Sequence, residues 1–115
     1  MSWDVMLEDE AGKPVAVDKF EEGGTYPVGG TDRAELNVTY NYGRSFRTAL
    51  NPAGLAWLGG KLAGDVIADL ERAVASLGTE RDPDYWADSP GNAGFALSIL
   101  LRWAKANPQA TFTVI

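Results

Sequence analysis

With 115 residues, no Cys and no His, the chain has room for one core, and it lacks the side chains that make disulfides, thiolate metal sites and the commonest general base near neutral pH. A net charge of −6 opposes the phosphate-neutralising surface from which nucleic-acid binders draw most of their affinity, so no direct nucleic-acid binding is expected. The 45% hydrophobic content and four Trp predict a packed globule, read as a single domain spanning residues 1–115.

The first elements follow from period-two alternation. Trp3, Val5 and Leu7 alternate with Asp4 and Met6, which predicts a first strand. Glu10-Ala11-Gly12 reads as a turn, and Val15 and Val17 resume the alternation after Pro14, so residues 3–18 are expected to form an antiparallel hairpin. This N-terminal part is acidic: Asp4, Glu8, Asp9, Glu10, Asp18, Glu21 and Glu22 face only Lys13 and Lys19. Such a skin either keeps a small protein soluble or attracts a basic partner.

Next comes a doubled Gly-Gly-Thr, Gly23-Gly24-Thr25-Tyr26-Pro27-Val28-Gly29-Gly30-Thr31. Paired glycines leave backbone amides uncovered, which makes Gly24, Thr25, Tyr26, Gly30 and Thr31 candidates for holding a polar partner. The loop lies between strands and lacks the Lys-Ser/Thr of a phosphate-binding loop. Its plainer reading is therefore two turns around a short strand.

Leu36, Val38, Tyr40 and Tyr42 fall on one side of a third strand, with Asn37, Thr39 and Asn41 on the other. That polar row, with Arg44 and Arg47 just beyond it, could meet a ligand bearing a negative group; an ordinary solvated strand face is the alternative. A short helix over residues 45–50 is expected to stop at Asn51, because the residue before Pro52 disfavours the helical region.

Asp65 begins a helix predicted to end at Gly78, with Val66, Ile67, Leu70, Ala73, Val74 and Leu77 as its apolar stripe. Residues 79–88 read as a polar, acidic loop that carries Tyr85 and Trp86. Trp86 is either an interface anchor or part of a lid folded back on the core. Ser89-Pro90 supplies a cap and a first helical residue for the last helix, which runs to Asn107 and stops at Pro108. Gly91, Asn92 and Gly94 in its first turn allow a ligand or another backbone to come close. Thr111 to Ile115 closes the chain as a strand. The sum is an α+β domain: a mostly antiparallel sheet of four to five strands, with two main helices packed on one face.

Apolar runs as short as Ile99-Leu100-Leu101 and Leu55-Ala56-Trp57-Leu58 predict a protein that does not enter a membrane. With neither His nor Cys, no catalytic residue, metal ligand set or cofactor is assigned, and carboxylate pairs such as Asp82/Asp84 sit among other loop charges.

Taken together, Gly23-Gly24-Thr25-Tyr26, Gly29-Gly30-Thr31, Leu36-Asn37-Val38-Thr39-Tyr40-Asn41-Tyr42, Tyr85-Trp86 and Gly91-Asn92-Ala93 give the chain a pattern that resembles small uncharacterised proteins encoded by bacteriophages and prophages. Gly43 stands where that family has Ser, which removes a hydroxyl. The resemblance implies an accessory protein working in the host cytoplasm as a non-enzymatic binding module, with a host protein such as a defence component as partner. The alternative expectation is a binder of an anionic or nucleotide-like small molecule, held by Arg44 or Arg47 and stacked on Tyr26, Tyr42 or Trp86. Homo-oligomerisation is left open.

Overall fold

The computed structural model describes residues 1–17, the backbone of residues 26–27, and residues 32–115. Strand β1, Ser2–Glu8, is central. It pairs antiparallel with β3, Glu35–Thr39, on one side and with β4, Thr111–Val114, on the other. The predicted alternation holds: Val5, Leu7, Leu36, Val38 and Phe112 point inward and are fully buried. On the opposite face Asp4, Met6, Glu8, Glu35, Asn37 and Thr113 are half-buried.

The expected sheet needs correction. The class is α+β, but among the described residues three antiparallel strands in the order β3-β1-β4 make up the sheet. The two-residue β2, Tyr26–Pro27, adds only a short pairing to the outer edge of β3. The hairpin return over residues 15–17 makes isolated bridges instead of a strand, Glu8↔Pro14 and Ala16↔Arg33. Pro14 has no amide to donate to a ladder on β1. Once Val15 N–H has bonded to Leu7 O, the chain moves across to residues 32–34, where Val17 N–H donates to Asp32 O and Ala34 N–H to Val15 O, both at 3.0 Å.

Among the described residues the two main helices and the short one expected before Asn51 are present: α1 over Gly43–Ala49, α2 over Ala63–Leu77 and α3 over Pro90–Ala106. The α3 boundaries follow the local signals. The Ser89 side chain accepts from Asn92 N–H at 3.1 Å, and Pro90 occupies the first turn, where its missing amide costs nothing. Gly78, at φ 75°, ends α2 in a conformation that glycine adopts without strain. Helices α2 and α3 pack on each other, and their buried residues Val66, Leu70, Ala73, Ala93, Ala96, Leu97, Ile99 and Leu100 join the inward sheet residues in one core.

Strand β3 ends earlier than its alternation predicts. Thr39 Oγ1 accepts from Asn41 N–H at 3.2 Å and caps a 3-10 turn over Tyr40–Tyr42 that runs straight into α1. At the far edge of the sheet, Phe112 is bonded on both sides of its peptide, receiving Gly60 N–H at 2.8 Å and donating to Lys61 O at 2.9 Å. Among the described residues no helix is long and apolar enough to cross a membrane.

Candidate functional site

Three segments meet beside the end of β3: the 3-10 turn, the loop over residues 79–88 and the first turn of α3. Asn92 organises them. It is completely buried, and its amide presents an acceptor and two donors side by side. Oδ1 accepts from Asp82 N–H at 2.9 Å, while Nδ2 donates to Asp84 O at 3.0 Å and Ala87 O at 3.1 Å. The loop reaches Asn92 because the neighbouring helix positions have no side chain. A Cβ on Gly91 would lie 1.7 Å from Glu80 O, and one on Gly94 would lie 1.7 Å from Gly78 O.

The loop's acids hold its turns. Asp82 Oδ1 accepts from Asp84 N–H at 2.8 Å, and Asp84 Oδ1 accepts from Trp86 N–H at 3.0 Å, two successive side-chain-to-backbone turns. Arg81 lies over the Phe95 ring, 4.3 Å from its centre. This segment, legible in sequence only as a polar loop, is pinned at nearly every second residue.

Tyr42 and Tyr85 stack edge to face with ring centres 5.8 Å apart, and the Tyr42 hydroxyl donates to Tyr85 O. Burial pushes the Tyr42 phenol far above its ordinary range, with the neighbouring Tyr85 and Asp84 adding to the shift. The Tyr85 phenol is also raised, first by burial; the nearby Thr39 backbone works in the opposite direction. The Tyr85 hydroxyl has no hydrogen-bond partner among the described residues, so the Thr39 backbone lies near it without completing a bond.

Trp86 is the outward end of this assembly. Its ring packs on Tyr85 at 4.7 Å, yet the residue is 61% exposed. Its N–H is held by Asp84, and its carbonyl accepts from Asn41 Nδ2 at 2.9 Å. Tyr40, adjacent to Asn41 in the chain, is 43% exposed and lies on Trp3 with ring centres 4.5 Å apart. Asn41, the residue after Tyr40, thus joins the 3-10 turn to the Trp86 backbone at this corner.

The predicted polar row does not exist as a bare ladder. Asn37 is half-buried and donates to Ser2 Oγ at 2.7 Å and Asp4 Oδ1 at 2.8 Å across the sheet. Thr39 is 2% exposed and is spent on its cap. Asn41 alone of the three reaches the Trp86 corner. Arg44 and Arg47 are exposed on α1, with Arg47 folded back so that a Cβ on Gly43 would lie 2.9 Å from its guanidinium. Gly24, Thr25, Gly30 and Thr31 lie outside the described residues, and Tyr26 is placed only by its backbone, opposite Asn37.

Sequence reasoning had Asn92 as a position permitting close approach but missed it as the clamp. The available signal was the Ser89-Pro90 start, which puts Asn92 on the third helical residue between two glycines. Two clefts are present among the described residues, the first away from this site and the second within its own segments. One of about 410 Å³ is lined by Asp9, Glu10, Val15 and residues 107–110; the other, of about 480 Å³, lies between residues 77–83 and 89–91. No group of three or more carboxylates gathers to hold a metal among the described residues. Comparison with protein-family models, curated proteins and solved structures finds no match to this chain.

Proposed function

We propose that the protein is a non-catalytic binding module whose partner docks on the corner formed by Trp86, Tyr40 and Asn41. The observation that carries this reading is Trp86 itself. The fold holds a large apolar side chain out in water while fixing both of its backbone groups and the residue on which it stacks. An aromatic anchor whose backbone is already ordered loses little entropy on binding, and such residues dominate interface energetics. On the resemblance noted in the sequence, the partner proposed is a host-cell protein, with a defence component the first to test. The acidic surface supports a partner of opposite charge.

The test is capture of the partner by the full chain and by Trp86→Ala and Tyr40→Ala. Trp86→Ala should cost less than about 1 kcal/mol of stability, as expected of an exposed side chain, while abolishing capture. Equal recovery of the same partner by Trp86→Ala and the unaltered chain would remove the corner as the binding surface.

A further inference from the structure

Two of the partly exposed aromatic rings of this protein carry a cation over the face. Trp57 carries Lys61 over its face at 5.1 Å, and Phe95 carries Arg81 at 4.3 Å. Trp86, the most exposed of the three, has no cation over it among the described residues. Its loop nevertheless carries the charges that would favour one: Glu80, Asp82, Asp84 and Asp88 are all exposed, and the loop's single cation, Arg81, is already committed to Phe95.

Resting on the binding-module reading above, we infer that the partner presents an arginine or lysine side chain to the Trp86 ring, in the field of Asp84 and Asp88. An aromatic face attracts a cation through its negative quadrupole, and carboxylates in the same loop add to that attraction at short range. Asp84 is fixed by accepting the Trp86 backbone N–H, so its charge stays beside the Trp86 main chain, while Asp88 makes the loop acidic on the other side of Trp86 in the chain. The partner surface is therefore a basic segment of a protein. An anionic ligand and a second copy of this acidic chain are the competing occupants.

The probe is an uncharged-capped hexa-arginine peptide, titrated into the ¹⁵N-labelled full chain while the four Trp indole N–H resonances are followed; Trp86→Phe identifies the resonance of residue 86. The Trp86 resonance should move, and those of Trp57 and buried Trp103 should stay. Neutralising the two carboxylates in Asp84→Asn/Asp88→Asn, which keeps the acceptor at position 84, should weaken binding by roughly 2- to 30-fold, the range of two exposed charge interactions. The same charge change placed elsewhere, Glu10→Gln/Asp65→Asn, should leave the affinity within about twofold. The inference is overturned if the Trp86 resonance does not move, if both double variants weaken binding equally, if a hexa-glutamate peptide moves the resonance instead, or if it shifts with protein concentration alone. Should the arginine peptide fail while partner capture still depends on Trp86, the cationic chemistry falls and the binding module stands. Retained capture by Trp86→Ala removes both.

Discussion

Replacing Asn92 tests whether the aromatic corner is held by a single buried amide. The side chain makes three good hydrogen bonds to the loop, at 2.9, 3.0 and 3.1 Å, from a position with no exposure. At about 0.5–1.5 kcal/mol net for each bond, and with water able to reach the exposed loop once it loosens, Asn92→Ala should cost about 2–4 kcal/mol. Asn92→Asp sharpens the test because it keeps the shape and the acceptor for Asp82 N–H but turns a carboxylate oxygen toward the carbonyls of Asp84 and Ala87. Burial and those carbonyls disfavour the charged form, so the new acid has a folded pKa raised above its unfolded value of about 4. The native state then binds more protons than the unfolded state between those two values, and stability relative to the unaltered protein falls as pH rises through that window. Asn92→Asp should therefore be less stable than Asn92→Ala at pH near 7, and the order should narrow or reverse near pH 4. Urea denaturation followed by circular dichroism and Trp fluorescence, with the unaltered chain measured at each pH, reads both effects. A cost below about 0.5 kcal/mol for Asn92→Ala, within the range of an ordinary surface change, would refute the clamp.

Three further outcomes are expected. Gly94→Ala should destabilise by about 1–3 kcal/mol or more, because its Cβ would meet the Gly78 carbonyl at 1.7 Å, whereas helix propensity alone would favour Ala by about 1 kcal/mol; thermal denaturation gives the sign directly. Tyr42 keeps its proton in the folded state to higher pH than in the unfolded state, so stability should decline as pH rises above about 10, and Tyr42→Phe should flatten that decline in denaturation measured across alkaline pH. Leu100→Ala, in the fully buried face of α3, should cost about 2–5 kcal/mol by denaturant titration, and a loss well under 1 kcal/mol would place this residue outside the core.

The parts of the fold that could be read from the chain are those whose signals are local. Ser89-Pro90 and Asn107-Pro108 bracket α3, and the alternation of Trp3, Val5 and Leu7 marks β1, because caps and pleat need only near neighbours. The errors came where distant partners decide. Val15 and Val17 alternate as a strand should, yet the pairing with β1 stops once Val15 N–H has bonded to Leu7 O, and residues 32–34 take over as partner. The row Asn37, Thr39, Asn41 has the right period, but the Thr39 hydroxyl caps a turn and rotates Asn41 away from the sheet. Of the site, Trp86 was visible as an unusual aromatic among acids. Its support was not, because the clamp depends on the loop backbone passing within touching distance of Gly91 and Gly94, a contact that spacing alone does not reveal.

The division of labour inside residues 79–94 has a practical consequence. Asn92, Gly91, Gly94 and the turn-forming Asp82 and Asp84 set the path of the chain, while the side chains at positions 86 and 88 project from it without a hydrogen bond to the rest of the described protein. Scaffold and display are thus encoded by different residues a few places apart. A library randomised at positions 86 and 88 and at exposed Tyr40 would vary the displayed side chains while leaving untouched the residues that set the frame.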